Sequence, residues 1–278
     1  MNRPSKKKRP ATRRPPVVTP KVRAWVAEAR IDRAGNECHP KNKDSLAVFA
    51  VSVHEGYPIG LEERFDLMED VGKRFRDRVP EGAPSLWVFP GGYLGFDPTT
   101  KSWPGFDEAV VREALPAVLA FYPPGARLAF GADGAFEEGE QQVWICWRTP
   151  ERAVDLHTIS REKTDLVGRT LQVGPVRAAF FVGGEVPGSG ASVSQLAGCR
   201  LLVDLAHSRV PGSASGAPGP RHVQQRQMLQ FSEHGAAVLA HHHPGLRAAG
   251  RPRAGSQSDW IIFRGGRWLG EEKVSSLA

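Results

Sequence analysis

Short, predominantly apolar runs recur along this chain, and they restrict its fold more than any other feature. Residues 46–53 (LAVFAVSV), 86–90 (LWVFP), 176–182 (VRAAFFV), 200–206 (RLLVDLA) and 236–241 (AAVLAH) are each five to eight residues long and mostly bounded by polar residues or glycines. None approaches the roughly 20 apolar residues that a membrane span requires. Because they are continuous rather than alternating, they read as strands covered on both faces. A sheet covered on both faces needs further layers, so helices or a second sheet must pack over each side.

The chain supplies those covers. In 61–79, Leu61, Phe65, Leu67, Met68, Val71, Phe75 and Val79 recur near helical spacing with charges between them, which predicts an amphipathic helix ended by Pro80 and Gly82. Residues 107–121 read as a second helix with Pro116 as a kink. Strands are expected at 127–131 (RLAFG) and 142–147 (QVWICW), with a polar connection over 148–170. A short helix is expected at 192–197, a loop at 211–220 (PGSASGAPGP) and a polar helix at 221–234. Residues 260–263 (WIIF), Gly265-Gly266 and Trp268-Leu269 read as a closing hairpin. Alternating strands and helices with a β-rich end predict an α/β fold built on a large mixed sheet system.

The net charge of +7 points to a nucleic-acid partner only until its position is considered. Nine of the 37 basic residues lie in residues 1–23, among them Lys6, Lys7, Lys8, Arg9, Arg13 and Arg14, leaving 28 against 30 acids beyond. The proline-rich segment 1–27 is expected to be a disordered basic tail, and 28–278 a single folded domain. The tail is a solubilising terminus, or a weak, salt-sensitive contact for polyanions and nucleic acid. Cys38, Cys146 and Cys199 are too few and too scattered for a disulfide framework. The basic N-terminus has no apolar segment behind it, so no secretory signal and no membrane attachment are expected, and the cytoplasm is the expected location.

Several segments, in order, resemble the carbon–nitrogen hydrolase (nitrilase and amidase) superfamily. Residues 86–90 (LWVFP) are similar to the family strand that ends in Phe-Pro-Glu. Residues 176–187 (VRAAFFVGGEVP) resemble the strand that leads into the family's cysteine. Residues 196–203 (LAGCRLLV) look like the "Leu-Ala-x-x-Gly-Ala-Asp" helix end and the strand after it. Residues 221–240 resemble a charged helix before a buried strand, and Gly255-Ser256-Gln257-Ser258 resembles the closing "Gly-x-Ser". The resemblance runs from about 45 to 272 and implies a four-layer αββα sandwich that pairs as a homodimer.

Family chemistry uses a cysteine nucleophile, a glutamate for proton transfer and a lysine that steadies developing negative charge. Carried over, the glutamate falls on Gly91 and the cysteine on Gly183, neither of which has a side chain for the task. Lys163 is the candidate for the lysine, and Glu185, two residues past Gly183, for an acid in the same pocket. Gly91, Gly92, Gly183, Gly184 and His242 are expected to line that pocket. Cys146 and Cys199 read as buried core thiols. His241-His242-His243 is the most conspicuous cluster, but no acid or thiol lies near it in sequence to complete a metal site, and no metal or other cofactor is expected. The resulting expectation is a pseudoenzyme that binds a small molecule or a partner. Its rivals are a carbon–nitrogen hydrolase with a relocated site and a nucleic-acid-associated protein acting through its tail.

Overall fold

The computed structural model describes residues 23–54, 60–95, 107–132, 141–151, 153–161, 167–182, 196, 198–205, 231, 233–240, 242–243, 261–262, 264, 268–269 and 272–274. Two sheets face each other. The first runs β14(Glu272–Val274), β1(Arg23–Ile31), β2(Leu46–His54), β3(Ser85–Val88), β4(Arg127–Gly131), β5(Gln142–Arg148), β6(Val154–Ser160). The second runs β13(Trp268–Leu269), β12(Ile261–Ile262), β10(Ala236–Ala240), β9(Leu201–Leu205), β8(Val176–Val182), β7(Thr170–Val173).

The apolar runs are buried on both faces because their alternate residues serve two different cores. In β2, Ala47, Phe49, Val51 and Val53 pack under the helices, while Leu46, Val48 and Ala50 point between the sheets. In β8, Val176, Ala178, Phe180 and Val182 meet that inter-sheet core, while Ala179 and Phe181 face outward with Leu202, Ala237 and Phe231. Helices α1(Leu61–Phe75) and α2(Glu108–Leu119) cover the first sheet. At the start of α1, the Glu63 carboxylate accepts from the Gly60 amide at 3.0 Å; at α2, Asp107 accepts from Ala109 at 2.8 Å. Each bond satisfies a backbone donor that a helix start leaves over. Under these helices Phe49 stacks on Trp87 at 3.8 Å, and Tyr122 meets Trp87 edge-on at 4.9 Å.

Two expectations are corrected. The folded domain begins earlier than residue 28: Arg23–Ile31 pairs along its whole length with β2, so 23–27 belongs to the sheet rather than to a tail. The stretch 148–170 is not merely polar connection, since Val154–Ser160 is a sheet-edge strand with only Ile159 fully buried. An edge strand covered on one side keeps polar residues, which hides it from a search for apolar runs. The first helix gives way to a 3-10 turn over Arg76–Arg78 before Pro80. The expected loop 211–220, most of the short helix 192–197 and most of the helix 221–234 lie outside the described residues.

Strand polarity fixes the useful end of the sandwich. β2, β3 and β4 are mutually parallel, as are β8, β9 and β10. β10 and β11(His242–His243) are separated by one residue, and β11 adds to the first sheet parallel to β2, with His242 beside Val53 and His243 beside His54. The two sheets are thereby tied at one end. β6 is antiparallel to β5, which is antiparallel to β4, so Ser160 reaches the same end as Gly131. The carboxyl ends of β2, β3, β4, β6, β8, β9 and β10 therefore share one rim. In open α/β sheets, ligands bind outside the carboxyl ends of the strands.

Candidate functional site

Gly91 and Gly92 follow β3 after Phe89 and Pro90 on that rim, and both are buried. Their loop is laid against the end of β4 by backbone bonds: Phe89 donates to Ala129 at 2.8 Å, Gly131 to Pro90 at 3.0 Å and Leu94 to Gly131 at 2.8 Å. The approach is so close that a Cβ on Gly131 would lie 2.1 Å from the Gly92 nitrogen. Glycine at 131 is thus a packing requirement.

A buried arginine holds this loop from the helical side. Arg64, in the first turns of α1 and 0% exposed, donates through Nη1 to the Tyr93 carbonyl. The Tyr93 hydroxyl donates back to the Arg64 carbonyl at 2.7 Å. The two residues lock α1 to the loop after β3. The sequence carried a signal for Arg64, since it stands three residues after Leu61 and four before Met68, on the stripe that faces the core.

A second buried arginine closes the next segment of the rim. Arg169, 6% exposed, donates through Nη2 to the carbonyl of Arg161, just beyond β6, and its own carbonyl accepts from the Phe180 amide at 3.0 Å. The His157 ring lies 3.1 Å from the Gly168 carbonyl. These contacts hold Gly168 and Arg169 against β6 and its end, and tie Arg169 to β8. On β9, Asp204 is fully buried one residue before the strand end, an acid inside an otherwise apolar run. Neither Arg169 nor Asp204 was singled out from sequence.

Gly91 and Gly92 lie in the loop after β3, and the His242 backbone pairs with Val53 of β2. Lys163, Gly183, Gly184 and Glu185 lie outside the described residues, as do Lys6, Lys7, Lys8, Arg9, Arg13 and Arg14. Lys163 follows the rim end of β6 by three residues, and Gly183 follows Val182 of β8. All three cysteines, by contrast, are described. Cys146 is in β5, four residues in from its rim end, and faces the helix-covered core; burial pushes its thiol up to about 12. Cys199 precedes β9 and so sits at the end opposite the rim, where burial also raises its thiol. Cys38 lies beside Arg30, eight residues before the start of β2, again away from the rim. Among the described residues no three His, Cys, Asp or Glu side chains are grouped to hold a metal ion. Also among them, no helix is long and apolar enough to cross a membrane.

No protein-family model matches the sequence, and no curated protein matches it. Solved structures do match the fold. A cysteine-to-alanine variant of an amidase of the nitrilase superfamily from Nesterenkonia superposes with a TM-score of 0.52 at 16% identity, covering 83% of this chain and 86% of that one. A double variant of the same enzyme in complex with acrylamide gives 0.52 at 15%, covering 86% and 93%. A third form, showing the acetamide moiety of fluoroacetamide added covalently at its active-site cysteine, gives 0.52 at 16%, covering 83% and 86%. At such identities the likeness concerns architecture alone, and it establishes that this chain has the α/β fold of the nitrilase superfamily.

Proposed function

We propose that this protein is a nitrilase-fold pseudoenzyme that binds a small molecule at the strand-end rim and does not use thiol chemistry. One observation carries the reading. Thiolate attack needs a cysteine at the rim, in an accessible and electropositive setting, and the three cysteines of the chain lie in the helix-covered core or toward the opposite end. A second fact supports it: the residue after Phe-Pro at the end of β3, where the resemblance puts a proton-transferring glutamate, is the buried Gly91. The rim keeps its shape through Arg64, Tyr93 and Gly131, whose roles are structural and need no catalytic group beside them. The reading includes association as a homodimer, which light scattering on residues 23–278 tests: a monomer removes that part.

A specific alternative rests on Lys163, which follows the rim end of β6 and, with Glu185 and a histidine, would activate water in a relocated site. The test is a panel of amides, nitriles and N-carbamoyl compounds offered to the purified full-length protein, with thermal-shift screening of the same compounds. A pseudoenzyme gives no turnover but is protected against heat by one class of ligand. Turnover that survives Cys38→Ser, Cys146→Ser and Cys199→Ser together but is lost in Lys163→Ala or Glu185→Ala establishes the relocated hydrolase. Turnover lost with the cysteines overturns both readings.

A further inference from the structure

Away from the rim, Arg30 and Cys38 form a directly opposed antiparallel pair. The Cys38 amide donates to the Arg30 carbonyl at 3.0 Å, and Ile31 bridges Glu37 in the adjoining position. Opposed residues of such a pair put their side chains on the same face. Asp32 builds the turn between them, accepting from the Ala34 and Asn36 amides at 2.8 and 2.9 Å, so the pair is held in register.

The two side chains differ in one telling respect. Arg30 is 3% exposed, and neither of its terminal nitrogens has a hydrogen-bond partner among the described residues. A buried cation with idle donors is costly and calls for an explanation. The neighbouring carboxylate, Glu28, has one oxygen engaged by Arg78 at 3.0 Å, and acts on Arg30 through its charge. The other group whose charge acts on the guanidinium is the Cys38 thiol, and Cys38 is partly exposed whereas Cys146 and Cys199 are buried. A partly exposed thiol opposite a buried guanidinium whose terminal nitrogens have no hydrogen-bond partner is a setting in which an oxyanion formed on the sulfur gains a charge-assisted bond.

We propose that Cys38 is a site of reversible oxidation by hydroperoxides, and that the Arg30 guanidinium holds the sulfenate oxygen that results. The thiolate sulfur attacks one peroxide oxygen. An S–O bond forms as the O–O bond breaks, sulfur loses two electrons to the peroxide, and thiolate plus hydroperoxide becomes sulfenate plus water or alcohol. The new oxygen supplies the acceptor that the Arg30 donors lack. A sulfenate is the first and reversible rung of thiol oxidation, open to return by a second thiol.

The full-length protein is treated with dilute hydrogen peroxide and a sulfenate-selective dione, and the labelled peptides are read by mass spectrometry. Cys38 should be labelled well ahead of Cys146 and Cys199 in the native protein. Arg30→Met should slow labelling at Cys38 by about tenfold, the scale of one charge-assisted hydrogen bond to the sulfenate oxygen. Arg30→Lys keeps the charge and should stay within roughly threefold of the parent. A measurement independent of reactivity uses Cys38→Asp, whose carboxylate stands in for the sulfenate. It should raise the thermal midpoint by about 2–5 °C through a charge-assisted bond to Arg30, and Arg30→Met in that background should cancel the gain. Labelling of Cys38 no faster than of the buried thiols, or unchanged in Arg30→Met, overturns the proposal; so does a Cys38→Asp protein that melts no higher than the parent.

Discussion

Replacing Gly131 with alanine tests the placement of the rim most directly. The added methyl would meet the Gly92 nitrogen at 2.1 Å, the Gly91 Cα at 2.5 Å and the Gly91 carbonyl carbon at 2.6 Å. All three are backbone atoms, so no side chain can swing aside. Relief requires the loop after β3 and the end of β4 to part by about 1 Å, a strain of the kind that costs roughly 1–3 kcal/mol when a packed core is overfilled. Parting them also stretches the Gly131-to-Pro90 and Leu94-to-Gly131 bonds, now 3.0 and 2.8 Å, at about 1 kcal/mol each. The sum, about 3–5 kcal/mol, corresponds to a fall of roughly 10 °C or more in Tm for a domain of this size. Gly82→Ala is the control: its φ of +76° is strained for alanine, but nothing lies within 4 Å of the new methyl, and the expected cost is about 1–2 kcal/mol. Circular dichroism melts of the two variants decide the matter. If Gly131→Ala melts at or above Gly82→Ala, the contact between Gly91, Gly92 and Gly131 is wrong, and with it the account of how the rim is built.

Further outcomes follow from other parts of the structure. Arg64→Met should cost about 2–3 kcal/mol by urea denaturation, since it removes a charged donor from the Tyr93 carbonyl, whereas Tyr93→Phe should cost about 1 kcal/mol. Because burial pushes the Cys146 thiol up to about 12 from an ordinary 9.0, the unfolded chain releases this proton above pH 9 while the native protein keeps it. Stability is therefore lost as pH rises from 9 towards 12. Between pH 8 and 10 the parent should lose about 1.4 kcal/mol more than Cys146→Ala, and equal losses would show that the thiol is not buried as described. Deleting residues 1–22, which stops short of β1, should abolish any retention on heparin, and retention by the parent should fall steeply with salt. Retention unchanged by the deletion would place the polyanion contact on the folded domain.

The strands buried on both faces were legible because burial on two sides disfavours polar residues, and a run such as LAVFAVSV, with Ser52 its one polar residue, states that constraint in one dimension. β1 was not, since Arg23, Glu28 and Arg30 interrupt its small apolar residues. Its partnership with β2 puts Ala27, Ala29 and Ile31 in the inter-sheet core while Glu28 and Arg30 lie on the other face. β6 escaped for the same reason at the opposite edge. Of the rim, Gly91 and Gly92 could be located because a strand ending in Phe-Pro had a recognisable counterpart. Arg64 and Arg169 could not be assigned to the rim from sequence, because each acts on backbone carbonyls, 29 residues away for Arg64 and eight for Arg169, and a carbonyl has no residue-type signature. Arg64 alone left a trace, as a charge on an apolar stripe.

Motif and polarity make separate arguments about the thiols, and here polarity is the stronger. A cysteine can be misjudged when a motif has drifted, as Cys199 illustrates: it sits in LAGCRLLV, a segment that resembles the family, sixteen residues past the position the nucleophile would take. Its distance in sequence does not settle its distance in space. The direction of β9 does, because a residue that precedes a parallel strand lies at the opposite end from one that follows its neighbour. Sliding the sequence alignment by a few residues would leave Cys199 before β9 and Val182 at the end of β8. The same holds for Cys38, which precedes β2, while Cys146 is kept from the rim by its face as well as by its position along β5. The pairing of β8, β9 and β10 in one parallel register thus puts Cys199 and Val182 at opposite ends of the second sheet, whatever the sequence alignment.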